Sequence, residues 1–323
     1  MTVDAEYVLP LRWSDDSGLA DLVGYLTALR DHIDVTVVDG SESALFAAHA
    51  RAFPAGVRHL PVEPRPGRNG KVAGVMTGLR SARHDRVVIA DDDVRYDADA
   101  LAAVVGMLQE ADLVLPQNVF RPEPWHARWD TGRTLLNRAF GHDYPGTLAV
   151  RRRVLIEAGG YDGDVLFENL ELIRTVIAAG GRVVNADAIA VPRRPPSVRH
   201  FTGQRVRQAY DDFAQPGRLV AELAVLPAVL LSLRRPRRLL AGVAVVVALA
   251  EVGRRRAGGR RLFAATASLW APLWLAERAV CVWLAVGARL RGGVKYSDGR
   301  LLRAATPLRE LRDTHRSRQK ATT

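Results

Sequence analysis

The sequence predicts an α/β protein, with a mainly parallel sheet flanked by helices over residues 1–217. A C-terminal all-α, membrane-associated region of hydrophobic and basic helices follows over 218–308, then a polar tail over 309–323. Three observations predict this. Short β-like runs alternate with helix-compatible stretches through the first 190 residues, the pattern of a parallel sheet covered by helices. From Leu219 the texture changes to long apolar runs broken by arginine clusters. Charge divides at the same place: residues 218–323 hold 21 Lys/Arg against 6 Asp/Glu, whereas residues 1–217 hold 25 against 29.

The β-like runs are 7–11, 35–38, 57–60, 87–90 and 113–115, with a later one at 182–184. The helix-compatible stretches between them are 18–31, 42–52, 70–83 and 97–110. Turn signals punctuate the units: Asp39-Gly40-Ser41 after the second run, and the Pro- and Gly-rich stretch 61–70 after the third. In the C-terminal part the apolar runs are 219–233, 239–250, 262–276 and 279–288, each shorter than the roughly 20 residues a spanning helix needs. Longer spans require Glu222, Glu251 or the Glu277-Arg278 pair to be admitted. Every loop between the runs is basic, so loop charge assigns no alternating topology. Short spanning hairpins and helices lying in the headgroup layer both fit, with Trp270, Trp274 and Trp283 as interface anchors.

Composition narrows the function. Hydrophobic residues form 48% of the 323, ample for a packed core. A sequence pI near 10.5 invites nucleic acid, but the basic excess sits in the apolar C-terminal part, which suits an anionic membrane surface better. No nucleic-acid partner is therefore expected. Residues 1–17 carry Asp4, Glu6, Asp15 and Asp16 and no long apolar core, so the N-terminal domain is expected on the cytoplasmic side of the cell membrane. The single cysteine, Cys281, allows no disulfide, and the eight histidines show no His-x-x-x-His or His/Cys spacing that would mark zinc.

The chemistry-bearing feature is Asp91-Asp92-Asp93, which closes the apolar run Val87–Ala90. Carboxylates after a strand lie at the carboxyl edge of the sheet, where open α/β sheets bind ligands. In an extended chain Asp91 and Asp93 share one side, so together they can hold a hard divalent cation and, through it, phosphates. Asp97 or Asp99 can cap the following helix, leaving the triplet without that structural task. Gly67-Arg68-Asn69-Gly70-Lys71 is not a Walker loop, since Arg65 and Val72 stand where glycine and Ser/Thr belong. Lys71 can still meet a diphosphate at a helix N-terminus.

In order along the chain come Pro10 and Arg12 after the first strand, Val37-Val38-Asp39-Gly40-Ser41, Gly70-Lys71 and Asp91-Asp92-Asp93. Gly159-Gly160-Tyr161-Asp162, Phe167-Glu168-Asn169-Leu170-Glu171-Leu172 and Gln204-Arg205-Val206-Arg207-Gln208 follow. This ordered set resembles family 2 glycosyltransferases of the GT-A fold, in particular membrane-associated, ceramide-glucosyltransferase-like or processive-type members, over about residues 7–213. The resemblance implies an inverting hexosyltransferase-type enzyme using a UDP- or GDP-sugar donor. It implies donor contacts at Pro10, Arg12, Asp39, Lys71, Asp91, Gln204, Arg205 and Arg207, with Mg²⁺ or Mn²⁺ on Asp91 and Asp93 bridging the diphosphate. The cation would neutralise the charge that develops on the leaving nucleoside diphosphate.

Two departures bear on mechanism. The family's Glu-Asp reads Glu168-Asn169, and an amide cannot take the acceptor's proton, so the base falls to Glu168 or Glu171. Gln208 stands where the family has tryptophan. The acceptor is expected to be a lipid or glycan hydroxyl, the lipid or polyprenyl carrier being inferred from the C-terminal region. The alternative is a non-catalytic sugar-nucleotide-binding or scaffold membrane protein, motivated by Asn169.

Overall fold

The computed structural model describes residues 2–296 and 299–322. The chain forms two compact units: Met1–Asn118 with Pro145–Val191 and Thr306–Thr323, and Val119–Tyr144 with Pro192–Ala305. The two units interleave along the chain.

The first unit begins with β1 (Glu6–Leu11), α1 (Leu19–Leu29), β2 (Asp34–Asp39), α2 (Ser43–Ala52) and β3 (Val57–Pro61). It continues with α3 (Gly70–Ser81), β4 (Arg86–Ala90), α4 (Ala98–Met107) and β5 (Leu113–Phe120). After α5 (Trp125–Phe140) of the other unit come β6 (Thr147–Arg151), α6 (Arg152–Glu157), α7 (Glu168–Ala178) and β7 (Val183–Arg193). The strand order is β3-β2-β1-β4-β6-β5-β7. β1 pairs in parallel with β2 on one side and β4 on the other, and β2 pairs in parallel with β3. The expected α/β, GT-A-type sheet with flanking helices is therefore present. Because the chain leaves β1 toward β2 and later returns beside it as β4, the β1/β4 edge is a topological switch point, where such sheets open a crevice.

Burial on both faces makes these strands continuous apolar runs. Tyr7, Leu9, Val35, Val37, Val88 and Ala90 all lie in one core with Leu22, Leu26 and Leu101 from the covering helices. Helix α3 approaches β1 through a stripe of glycines. A Cβ on Gly78 would stand 2.3 Å from Val8 Cγ1, and one on Gly74 3.1 Å from Pro10 Cβ. Asp97, as expected, caps α4, its side chain accepting from the Ala100 amide at 2.8 Å.

The first four predicted strands and helices match the observed ones to within a few residues. The sequence reading missed β6, which pairs antiparallel with β4 and β5. Its five residues follow Pro145-Gly146 and run directly into α6, so no second turn signal frames them as a strand. The expected extended aspartate triplet is also corrected: β4 ends at Ala90, and Asp91–Val94 forms a turn closed by the Val94 amide on the Asp91 carbonyl at 3.1 Å. Strand alternation no longer governs those side chains.

The second unit contains α5 and then α8 (Val198–Gly203), α9 (Arg205–Tyr210), α10 (Pro216–Ser232), α11 (Pro236–Arg255), α12 (Gly259–Leu262) and α13 (Ala271–Leu290). A hairpin of β8 (Val294–Tyr296) and β9 (Gly299–Leu301) follows. The helix α13 runs straight through Glu277-Arg278, where the sequence reading broke the apolar run. Both charges are matched: Arg278 pairs with Asp212 at 3.2 Å, and Glu277 accepts from Arg205 and from Trp129 Nε1, each at 3.2 Å. Among the described residues one helical stretch, Ala267–Leu290, is long and apolar enough to cross a membrane, with mean hydropathy 1.4. The polar tail, expected to fray, is instead helical as α14 (Leu308–Thr322) and packs against α7 in the first unit.

Candidate active site

The carboxyl ends of β1 and β4 lie side by side at the switch point, and the N-terminus of α3 opens beside them. Asn69 sets α3: its side-chain oxygen accepts from the Lys71 amide at 3.1 Å, its Nδ2 donates to the Val165 carbonyl at 3.0 Å, and its backbone amide donates to the Gly163 carbonyl at 2.8 Å. One residue thus caps the helix and ties it to the loop that leads into α7. That loop can pass so close only because both sides are glycine. A Cβ on Gly67 would lie 2.6 Å from the Gly163 backbone, and Gly67 has φ +107°.

The result is a convergence of four predicted residues from three distant positions. Lys71 Nζ lies 2.5 Å from Asp91 Oδ1 and 2.7 Å from Glu168 Oε1, with Asn169 Oδ1 at 3.5 Å. Burial alone would lower the Lys71 ammonium, but Asp91 and Glu168 more than offset it and hold its pKa well above the ordinary value. Asn169 is itself fixed, its Nδ2 donating to the Pro145 carbonyl at 3.0 Å. Glu171 is turned away: it is fully buried, and its Oε2 accepts from the Thr306 amide at 2.6 Å. Burial raises its pKa despite that bond.

The neighbouring Asp92 has a different partner. Asp92 Oδ2 accepts from Trp13 Nε1, and the Trp13 amide donates to Ser41 Oγ at 2.9 Å. The aspartate turn is thereby joined to the Asp39 turn. Asp39 itself points inward with no side-chain exposure. Its Oδ1 accepts from the Ser41 amide at 2.8 Å, and its Oδ2 lies 2.6 Å from His49 Nδ1 and 3.0 Å from His59 Nε2. Burial would raise its carboxyl, but hydrogen bonds from His59, Ser41 and His49 overcome this and hold it far below the usual range. Pro10 lies under Gly74, and the Arg12 guanidinium approaches Gly70, both at this crevice.

The predicted residues Gln204, Arg205 and Arg207 lie in the second unit. Arg205 is bound there by Asp130 at 2.7 Å, Glu277 at 3.2 Å and Gln208 Oε1 at 2.6 Å, over the Phe201 ring at 4.0 Å. Its guanidinium is thus already matched by carboxylates, and Gln208 serves it as an acceptor. Gln204 meets His200, and Arg207 lies over the Tyr296 ring at 4.9 Å.

The Asp91–Asp93 turn fits Mg²⁺ or Mn²⁺ in two respects: its donors are all oxygen, which suits hard cations, and Asp91 already holds a cationic group in the Lys71 ammonium. Sequence reasoning missed Asn69 and Trp13. Asn69 three residues after Pro66 and just before a glycine-spaced apolar stretch is a helix-cap signal that could have found the first. Nothing local marks Trp13.

Residues 19–159 match the profile described as Glycosyl transferase family 2. No curated protein matches the chain. Among solved structures, the mannosyltransferase PcManGT from Pyrobaculum calidifontis, in complex with GDP-Man and Mn²⁺, is similar at 17% identity and TM-score 0.46, over 100% of this chain and 86% of that one. Glucosyl-3-phosphoglycerate synthase from Mycobacterium tuberculosis, in complex with Mn²⁺, UDP and glucosyl-3-phosphoglycerate, is similar at 18% identity and TM-score 0.42, over 61% of this chain and 74% of that one.

Proposed function

We propose that the chain is a membrane-associated, inverting glycosyltransferase that moves a sugar from a UDP- or GDP-sugar to a hydroxyl of a lipid or polyprenyl acceptor. The observation that carries this reading is the gathering of Asp91, Lys71 and Glu168 at the switch-point crevice, the first two within the stretch that matches the family 2 profile. Asp91 and Asp93 would hold the divalent cation, which supplies charge neutralisation for the leaving diphosphate. Lys71, at the N-terminus of α3, adds a second positive charge where phosphate oxygens are favoured. Pro10 and Arg12 border the nucleoside end, and Asp39 acts there through the Ser41 turn that it holds.

Glu168 is the proposed base for the acceptor hydroxyl. It is partly exposed at 14% and borders the crevice, whereas Glu171 is sealed inside against Thr306. Asn169 orients the neighbourhood through Pro145 and takes no proton.

The lipid acceptor draws support from the second unit. Leu231 and Leu290 are 82% and 84% exposed, and Leu233, Leu240 and Leu284 are exposed as well. Surface of this kind, beside Arg234, Arg235, Arg237 and Arg238, suits helices lying in an anionic headgroup layer, and so the cytoplasmic leaflet. The same unit encloses a cavity of about 590 Å³ with an apolar side of Phe140, Val225 and Leu249 and a polar side of Tyr144, Arg218 and Glu222. An amphipathic molecule matches that lining.

A screen of UDP- and GDP-sugars by thermal shift, with and without Mn²⁺, followed by a transfer assay with the responding donor, tests the reading. A metal-dependent shift with one nucleotide sugar, lost in Asp93→Asn, is expected; unchanged activity in Asp93→Asn sinks the metal assignment. The second reading, a sugar-nucleotide-binding scaffold, rests on Asn169. It gains if a donor binds and no acceptor or water ever takes its sugar.

A further inference from the structure

We propose that Asp39, His49 and His59 form a transition-metal site of the zinc class, separate from the aspartate turn, with Asp16 as its outer-shell partner. Asp39 ends β2, His49 lies on α2, and His59 lies on β3 at the sheet edge. One ligand atom from each falls within a 4.8 Å cluster. Asp39 and His49 are fully buried side chains, and His59 is 10% exposed.

The convergence of three ligand atoms inside the fold carries the argument. Its Nδ1 lies 2.6 Å from Asp39 Oδ2 and its Nε2 2.9 Å from Asp16 Oδ1. Both ring nitrogens of His49 thus face carboxylate oxygens, one of them the Asp39 oxygen shared with His59. The ring of His59 brings a further nitrogen to the same Asp39 oxygen, at 3.0 Å. A divalent metal among the three atoms satisfies all of them. His49 then keeps one proton, donated from Nε2 to Asp16, the arrangement in which a metal-bound histidine is oriented by a carboxylate. The two carboxylates balance the charge of the metal.

The ligand set chooses among metals. Two imidazoles and one carboxylate, with a fourth position for water, suit Zn²⁺ or Co²⁺, whereas Mg²⁺ and Mn²⁺ prefer oxygen alone. The surroundings hold the rings in place. Phe46 stacks on His59 at 4.1 Å, Phe53 packs on both imidazoles, and the Trp13 ring stands edge-on to His49 at 5.6 Å. Asp39 Oδ1 holds the Ser41 amide, Ser41 Oγ holds the Trp13 amide, and Trp13 holds Asp92. A metal here clips β2, α2 and β3 together and bears, through that chain, on the aspartate turn. The site stands on its own geometry and does not depend on the glycosyltransferase reading.

The test uses the full chain, stripped with a chelator, dialysed against micromolar Zn²⁺ and assayed by elemental analysis, with Co²⁺ in parallel. One zinc per chain is expected, with a visible Co²⁺ absorption band of the intensity that four-coordinate nitrogen and oxygen ligands give. His59→Gln, at the partly exposed edge strand, should weaken Zn²⁺ binding at least about tenfold, and His49→Gln with His59→Gln should abolish it. Asp93→Asn should retain the zinc, which separates this site from the aspartate turn. Failure of wild-type protein to bind zinc stoichiometrically overturns the proposal. So does retention of zinc by the double variant, or a weak Co²⁺ spectrum of six oxygen ligands.

Discussion

Lys71 shows how one side chain can organise a site. With its ammonium between Asp91 and Glu168, it keeps two carboxylates close that would otherwise repel. Lys71→Met should destabilise the fold by only about 1 kcal/mol, because the pair is partly solvated. It should lower kcat/KM by about a hundredfold or more, because the charge is lost where the leaving group develops its own. Urea unfolding and a transfer assay read the two effects, and activity within twofold of wild type would remove Lys71 from the mechanism. The sign of its pH dependence follows from its raised pKa. Its stabilisation is fully present below the unfolded value of about 10.4 and is lost only as pH climbs through the still higher folded value. No limb of the pH–rate profile between pH 6 and 9 should therefore disappear in Lys71→Met. Asn69→Ala should cost about 1–2 kcal/mol, since it removes a helix cap and leaves the buried Val165 carbonyl without its donor. A fall in thermal midpoint no larger than that of a surface control would contradict this.

At the scale of elements, the glycine-lined face of α3 decides how near Lys71 comes to the sheet. Gly78→Ala would drive a methyl into Val8 and should cost about 1–3 kcal/mol by overpacking. Gly24→Ala on α1 meets open space and should stabilise by about 0.5–1 kcal/mol. The two thermal midpoints should move in opposite directions, and equal shifts would show that the close α3–β1 approach is not what the glycines serve. The elements legible in sequence were those with simple periodicity and a turn at each end: β1 to β4 and α1 to α4. The helix α13 was hidden because Glu277-Arg278 looks like a break in an apolar run, and only partners from Asp212, Arg205 and Trp129 make the pair tolerable in a helix. The tail helix α14 was hidden for a related reason: Leu308–Thr322 is polar and reads as frayed, but it finds a partner in α7.

For the whole molecule, the split between a slightly acidic α/β part and a strongly basic helical part predicts a surface-binding protein. The full chain should co-sediment with vesicles rich in anionic lipid, and binding should weaken as salt shortens the range of charge interactions. Replacing Arg234, Arg235, Arg237 and Arg238 by serine should lower the affinity by about two to three orders of magnitude, at roughly 1 kcal/mol for each charge near the surface. A chain that stays in the supernatant with such vesicles would end the membrane reading. By itself the sequence determined the α/β alternation, the carboxyl-edge position of Asp91–Asp93 and the charge division, because periodicity and composition are local properties. Only the tertiary structure decided that Lys71 and Glu168 meet, that Glu171 and the Asp39 carboxylate face inward, and that His49 and His59 converge on one oxygen. Those side chains come from successive or distant elements, and the sheet order that brings them together follows from no spacing along the chain.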